Sequence, residues 1–139
     1  MEIAIPGKID YFVLLSIFNN ARKSAKGFPD IEASLPEFMA MVDGEVIVTA
    51  KMSNKIAGFI SVWEEENFIH HLYVHPDYQN KGIGPALINS CKEYFGLPLS
   101  LKCVEQNTGA CDFYQKNGWH AMERGRGPEG SYILFKLSE

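Results

Sequence analysis

The amino-acid sequence predicts one mixed α/β domain with a central, mostly antiparallel sheet of about six to seven strands, one parallel strand–helix–strand unit and about four helices. Three observations support this fold class. Segments with strand-like composition alternate with segments in which apolar residues recur at helical spacing. Short turns separate these segments, and no internal repeat or linker interrupts them. A chain of 139 residues has the usual size of one domain, so residues 1–139 are expected to fold as a single unit.

The N-terminal part of the sequence predicts one short strand and two helices. Residues 2–5 have the composition of a strand, and residues 9–25 place apolar side chains at helical spacing. A second helix is expected at residues 34–42. Its start is indicated by Ser34 followed three residues later by Glu37, which is the pattern of a capping box.

The next segment predicts three strands. Residues 45–52 and 55–63 are rich in β-branched and aromatic residues, and two residues separate them, as in a tight hairpin. These two strands should therefore be antiparallel neighbours. A third strand is expected at residues 68–74, because Pro76 follows it and cannot donate a ladder hydrogen bond.

The C-terminal half predicts two more helices and three more strands. Helical spacing of apolar residues begins at Gly84 and is ended by Gly96 and Pro98. The strands on either side of this helix should be parallel, with a right-handed connection. The other predicted elements are a strand at 99–104, a helix at 108–118, a strand at 119–123, a loop at 124–130 and a strand at 131–137.

Composition and charge exclude several classes of function. No apolar run approaches the ~20 residues needed to cross a bilayer, so no membrane association is expected. The net charge of −4 and the lack of a basic stripe argue against nucleic acid as a partner. Residues 1–10 lack the features of a signal peptide, which favours a cytoplasmic protein. Cys91, Cys103 and Cys111 show neither metal-ligand nor disulfide spacing, so buried free thiols and no metal are expected.

A polar loop with two glycines precedes the helix that begins at Gly84. Residues 79–85 read QNKGIGP, and Gly82 and Gly84 leave the first N–H groups of the helix open to an anion. Two glycines alone more often make only a turn. Here a strand leads into the loop and a strongly patterned helix follows it, as in a diphosphate cradle. The dinucleotide fingerprint and the P-loop both fit poorly, because their remaining fixed residues are missing.

The sequence resembles the GNAT acetyltransferases, a family that binds acetyl coenzyme A through a Q/R-x-x-G-x-G/A signature. Residues 79–84 fit every fixed position of that signature, and residues 72–78, LYVHPDY, are similar to the strand and turn that precede it. Residues 107–119, NTGACDFYQKNGW, are similar to the family's N-x-x-A-x-x-F-Y-x-x-x-G-F/W element. The resemblance is specific over residues 68–119. It implies a GNAT-type fold and an N-acetyltransferase that moves acetyl from acetyl coenzyme A directly to a primary amine.

The resemblance also implies the residues that hold the cofactor. Backbone groups of Leu72, Tyr73 and Val74 are expected to pair with the pantetheine arm as an added strand would. Asn107 is expected either to contact the cofactor or only to cap its helix. Because proline has no N–H, one phosphate hydrogen bond fewer is expected at the end of the loop. The diphosphate is expected on Gln79, Asn80, Lys81, Gly82, Ile83, Gly84 and Pro85.

Two catalytic residues are predicted. Tyr114 occupies the position at which the family commonly places a tyrosine that protonates the coenzyme A sulfur, although an aromatic core residue is also expected on such a helix. Many relatives carry an acidic base on the strand before LYV, and here His70 stands at that position. A histidine has an unperturbed pKa of about 6.5 and can accept the amine proton directly or through water. Unless a bulge intervenes, strand alternation places His70 on the opposite face from His71, and a structural histidine is equally consistent.

The sequence leaves the acceptor open, as a small-molecule or peptide amine. Residues 64–66, EEE, would favour a cation if they lie at the entrance of the site, and are otherwise a solvated turn. Lys102 occupies a second position at which relatives carry an acid. The missing acids allow an alternative class of protein, a non-catalytic acetyl coenzyme A sensor or subunit. A transferase for longer acyl chains also fits, and so do a monomer and a homodimer.

Overall fold

The computed structural model describes residues 1–28 and 31–139, and it confirms the predicted mixed α/β fold. The helices are α1 (Tyr11–Ser24), α2 (Leu35–Met41), α3 (Ile83–Phe95) and α4 (Thr108–Lys116). The strands are β1 (Glu2–Ala4), β2 (Val46–Met52), β3 (Lys55–Trp63), β4 (Phe68–Val74), β5 (Leu99–Val104), β6 (His120–Gly127) and β7 (Gly130–Leu137). Short 3₁₀ turns occupy Glu64–Glu66 and Pro76–Tyr78. None of the described helices combines the length and hydropathy that a membrane crossing requires.

One seven-stranded sheet has the order β1-β2-β3-β4-β5-β7-β6. Its neighbouring strands are antiparallel, except for β4 and β5, which run parallel because α3 connects them. This arrangement confirms the expected strand–helix–strand unit. The mostly antiparallel character of the sheet is confirmed as well.

Local signals in the sequence explain where the first elements begin and turn. Ser34 caps α2 with its hydroxyl, and the carboxylate of Glu37 accepts the N–H of Ser34 at 2.9 Å, which completes the predicted capping box. The β2–β3 hairpin turns at Ser53 and Asn54, both of which have positive φ, at 50° and 66°. Two such residues in succession match the twist of a tight hairpin.

Helices cover both faces of the sheet, so the molecule has two hydrophobic clusters. Phe59 and Ile60 are consecutive on β3 and belong to different clusters, because successive strand residues face opposite sides. The cluster under α1 and α2 contains Leu14, Ile17, Phe18, Phe38, Val42, Ile47 and Phe59. The cluster under α3 and α4 includes Ile60, Ile69, Leu87, Cys91, Tyr114 and Phe135.

The predicted loop at residues 124–130 is wrong over most of its length. β6 continues to Gly127, and β7 begins at Gly130. The glycines suggested a loop, but Gly125 is needed inside the hairpin, opposite Tyr132. A Cβ at Gly125 would lie 2.5 Å from the hydroxyl oxygen of Tyr132, so glycine leaves the space that this ring occupies.

Candidate active site

The parallel strands β4 and β5 pair over only two residues and leave a wedge beyond them. Phe68 pairs with Ser100 and Ile69 with Leu101, and the described ladder then ends. On its other edge β4 remains paired with β3 as far as Val74. The edge of β4 that faces the wedge therefore carries backbone groups that no strand of the described chain takes up.

Two cavities open into this wedge and meet inside it. The first, called the glycine-loop cavity, has a volume of about 690 Å³ and is lined by the loop before α3. The second, called the histidine cavity, has a volume of about 390 Å³ and is lined by His70 and His71. The residues that line both are Phe28, Leu72, Tyr73, Asn107, Ala110 and Tyr114.

The glycine-loop cavity has the geometry of an anion site. Asn80 and Gly82 have positive φ, at 63° and 80°, and α3 begins directly after Gly82 with no side-chain cap. A Cβ at Gly82 or Gly84 would meet nothing within 4 Å, so the approach to the helix N-terminus is open. Because α3 is 13 residues long, its uncapped N–H groups and dipole can hold negative charge at this point.

The predicted loop residues occupy different environments. Gln79 lines the cavity and donates from Nε2 to the carbonyl oxygen of Val74 at 3.1 Å. The side chain of Ile83 is buried in the core, so this residue offers its backbone. Lys81 is exposed and is not among the residues that line the cavity. Pro85 lines the cavity as the third residue of α3, where its missing N–H removes only a group that the helix leaves unpaired.

Tyr114 lies at the junction of the two cavities. The residue is only 8% exposed, and its ring packs against Trp119 and Phe135 at centroid distances of 5.5 and 5.6 Å. Burial raises the pKa of Tyr114 above its usual value, so the hydroxyl remains protonated. Asn107 lines both cavities as well, and its Oδ1 accepts the N–H of Ala110 at 3.4 Å as a cap of α4.

A β-bulge brings His70 and His71 to the same side of the sheet. Ser61 pairs with His71 and the next residue, Val62, pairs with Ile69, so His70 is the extra residue. The two imidazoles stack with centroids 4.0 Å apart. The expectation that they lie on opposite faces excepted a bulge, and the bulge that is present changes the direction of one side chain.

The two histidines differ in burial and charge. Burial, followed by the nearby His70 and Arg22, lowers the pKa of His71 to about 3. His71 therefore stays neutral, and its Nε2 is buried with no hydrogen-bond partner among the described residues. The side chain of His70 is 43% exposed and lines the histidine cavity. His70 is the histidine that a small molecule in this cavity can reach.

Glu45 is a site residue that the sequence analysis missed. Its Oε2 lies 2.6 Å from Nδ1 of His70, its side chain is 6% exposed, and its Oε1 accepts the hydroxyl of Ser61. A carboxylate only accepts, so Nδ1 of His70 donates, and in a neutral imidazole the lone pair is then on Nε2. Glu45 stands just before β2, where the sequence predicts only the start of a strand. Its contact with His70 forms because β2, β3 and β4 are neighbours in the sheet.

Glu45, His70 and His71 are also the residues that a metal ion could use. One donor atom from each lies within 4.8 Å of the others. The carboxylate of Glu45 and Nδ1 of His70 already bond to each other, however. This hydrogen bond accounts for the cluster, and we derive no metal chemistry from it.

Two cationic side chains line the histidine cavity, and they have different partners. Arg22 donates to both carboxylate oxygens of Glu129, at 2.9 and 3.2 Å, and to the hydroxyl of Tyr73 at 3.2 Å. Lys102 places its Nζ 4.8 Å from the ring centroid of Tyr132. The acidic turn Glu64–Glu66 lines neither cavity, so it gives no support for an acidic entrance.

The three cysteines are buried and free, as expected. Burial raises the pKa of Cys91 to about 12. Burial and then the adjacent thiol of Cys111 raise the pKa of Cys103 as well, and the two sulfur atoms lie 3.4 Å apart. Thiols that stay protonated are poor nucleophiles, which argues against an acyl intermediate on Cys91 or Cys103.

Comparisons with known proteins agree with the fold. The model of the acetyltransferase (GNAT) family matches residues 14–119. An uncharacterized N-acetyltransferase of Methanocaldococcus jannaschii is 38% identical over 60 residues, which cover 40% of this chain and 26% of that protein. A GCN5-related N-acetyltransferase from Rhodopseudomonas palustris has a TM-score of 0.84 at 21% identity, covering 99% of this chain and 95% of that chain. The PaiA N-acetyltransferase of Thermoplasma acidophilum, solved in complex with coenzyme A, has a TM-score of 0.77 at 20% identity, covering both chains fully at 100%.

Proposed function

Because the chain belongs to the acetyltransferase (GNAT) family, we propose that it transfers acetyl from acetyl coenzyme A to a primary amine by direct attack. The acceptor is a small molecule or a peptide. One observation carries this proposal, namely that Tyr114 lines both cavities. A thioester that enters from the glycine-loop cavity and an amine that enters from the histidine cavity would meet beside this side chain.

The glycine-loop cavity suits a coenzyme A molecule. The open N-terminus of α3 between Gly82 and Gly84 would hold the diphosphate. The free edge of β4 at Leu72–Val74 would pair with the amide groups of the pantetheine arm. When bound, acetyl coenzyme A supplies an activated acetyl thioester. The residues of the chain then have to orient it, remove a proton from the amine and stabilise the departing sulfur.

Tyr114 is the residue proposed to stabilise the sulfur. Its raised pKa keeps a hydrogen available for donation at every physiological pH. Complete transfer of that proton to a thiolate would be uphill, because a thiol has an ordinary pKa of only about 8.5. The hydroxyl is therefore expected to act mainly by donating a hydrogen bond to the charge that develops on sulfur.

His70 is the residue proposed to take the proton from the amine. With Nδ1 bonded to Glu45, Nε2 is the atom that can accept the proton, directly or through water. The carboxylate of Glu45 is then next to the imidazolium and stabilises it. This pair supplies the acid that the sequence lacks on β4, and it weakens the case for a non-catalytic sensor.

The proposed function is tested by measuring coenzyme A release with acetyl coenzyme A and a panel of polyamines, aminoglycosides, amino acids and lysine peptides. We expect turnover with at least one amine. In His70→Ala, kcat/KM for that amine at neutral pH should fall by roughly 100-fold or more, the usual contribution of a general base.

The same assay separates the alternatives. If acetyl coenzyme A binds and no amine is acetylated, the chain is a sensor or subunit. Faster turnover of octanoyl than of acetyl coenzyme A would indicate a longer-chain transferase. An unchanged pH profile of kcat/KM in His70→Ala would contradict the role of His70.

A further inference from the structure

Lys102 is a cation of the histidine cavity for which the described chain provides no acidic partner. The cavity's other cation, Arg22, is neutralised by Glu129 at 2.9 Å. No carboxylate of the described residues lies within ion-pair distance of Lys102. Its nearest acidic neighbour along the chain, Glu105, bonds to Arg124 at 2.9 Å instead. With respect to the described residues, the ammonium group is therefore available to a ligand.

Aromatic rings contact this ammonium group, and one of them also neighbours the proposed base. Nζ of Lys102 lies 4.8 Å from the ring centroid of Tyr132 and 6.0 Å from that of Phe68. The ring of Phe68 in turn lies 6.5 Å from the imidazole of His70. The ring of Phe68 is therefore a neighbour of both the ammonium group and the imidazole, and both groups line the same cavity.

The position of Lys102 follows from the strand pairing. Ile69 and Leu101 form the last pair of the parallel ladder. The next residue on each strand is His70 and Lys102, so these two side chains flank the opening of the wedge. Gly125 contributes to the arrangement, because its missing side chain lets Tyr132 lie across β6 under the lysine.

A fixed cation at this place has two effects on an amine acceptor. It repels an ammonium ion, which lowers the pKa of a bound amine and favours the neutral form that attacks. It attracts an anionic group on the same molecule. Both effects are useful to an acceptor that carries its amine and a carboxylate close together, and one carbon atom separates these groups in an α-amino acid.

We propose that Lys102 binds the carboxylate of the acceptor and that the acceptor is an α-amino acid with an apolar side chain. This inference rests on the proposed function and names its substrate class. The apolar part of the acceptor would contact Phe28, Phe68 and Tyr132, which also line the cavity. The volume of about 390 Å³ lies at the small end of ligand sites and suits one amino acid.

Binding of reaction products tests this inference without any turnover. Protein saturated with coenzyme A is titrated in a calorimeter with N-acetyl-leucine and N-acetyl-phenylalanine, and with N-isopentylacetamide and N-phenethylacetamide, which lack the carboxylate. We expect each carboxylate to bind roughly 10- to 100-fold more tightly than its partner, as for a charged hydrogen bond. In Lys102→Met that advantage should disappear, while the two amides bind as before.

Two variants control the interpretation. Lys102→Arg keeps the charge and should retain part of the advantage. Lys136→Met removes a lysine from the neighbouring strand β7 that lines neither cavity, and should change nothing. In steady-state assays, Lys102→Met should raise KM for phenylalanine but not KM for phenethylamine, which has no carboxylate to lose.

Three results would overturn the inference. They are equal affinity for the acids and the amides, a full carboxylate advantage in Lys102→Met, and no binding of either product by the wild type. The proposed function fails on different evidence, which is the lack of coenzyme A binding or of acetylation of any amine. A chain that acetylates phenethylamine as well as phenylalanine would keep its function and lose this inference.

Discussion

The glycine-loop cavity and the histidine cavity meet at Tyr114, but they are built in different ways. The first offers a ligand mainly backbone groups, at the start of α3 and along the free edge of β4. These groups come from one continuous stretch, residues 72–85. The second offers side chains from α1, β4, β5 and the β6–β7 hairpin, supported from behind by Glu45.

The glycine-loop cavity is therefore formed by residues that are close in sequence, whereas the histidine cavity is assembled from distant elements. A site made of backbone groups needs residues without side chains at the start of a helix. Gly82 and Gly84 can be recognised as such residues from the sequence alone. A side-chain site depends on which strands become neighbours and on where a bulge falls. The following predictions test whether the first cavity works through its backbone and the second through its side chains.

The largest effect is expected where the two cavities meet. Tyr114→Phe keeps the ring that packs on Trp119 and Phe135 and removes only the hydroxyl. We expect kcat to fall by roughly 100- to 1,000-fold, the usual cost of removing one hydrogen-bond donor to a developing charge, while coenzyme A binds normally. Tyr94→Phe removes a hydroxyl from an exposed residue of α3 and should have full activity. A fully active Tyr114→Phe enzyme would leave Tyr114 as a core residue.

A smaller effect is expected from a methyl group in the glycine loop. Gly82→Ala puts a side chain into open space at the start of α3, at a φ of 80°. We expect coenzyme A affinity, measured by calorimetry, to fall roughly 10- to 100-fold, because charged hydrogen bonds to phosphate are lost. Gly96→Ala is a control for backbone strain away from the cavity, since Gly96 has a φ of 79° at the other end of the same helix and, with a ψ of −180°, is the more strained position for alanine. If both variants lose affinity equally, backbone strain and not the phosphate contact is responsible.

The smallest effect is expected from the support behind the histidine cavity. Glu45→Gln keeps the size of the side chain and removes the charge that fixes Nδ1 of His70. We expect kcat/KM for the amine to fall about tenfold, because only part of the base's contribution is lost. The ¹⁵N NMR signals of His70 should show a changed tautomer population.

Glu64→Gln removes the same charge from an exposed turn before β4 and serves as the control. It should alter neither the rate nor the NMR signals. If Glu45→Gln leaves both unchanged as well, the 2.6 Å contact does not orient the imidazole, and the side chains of the histidine cavity are less dependent on their neighbours than we propose.

The fold was predictable because its signals are local. The capping box at Ser34 and the two-residue turn at Ser53–Asn54 each occur as expected, since a few adjacent residues decide them. The error at residues 124–130 has the opposite cause. Gly125 resembles a loop residue in sequence, and only the opposite strand shows that it makes room for Tyr132.

The candidate site was predictable in part. The loop at residues 79–85 and Tyr114 follow from a motif, and the structure brings them to one wedge, where their roles remain proposals. His70 is predicted from its position before LYV, and its preference over His71 rested on strand alternation, which the bulge removes. It is the exposure of His70 and the burial of His71 that now support the same choice.

The sequence by itself determined the order of helices and strands, the family and the bare helix start at Gly82, because spacing, turn chemistry and missing side chains act over a few residues. Only the tertiary structure decided that Glu45 stands behind His70 and that Lys102 faces the same cavity. Those contacts join residues 25 and more positions apart, and they form only when β2, β3, β4 and β5 take their places in the sheet.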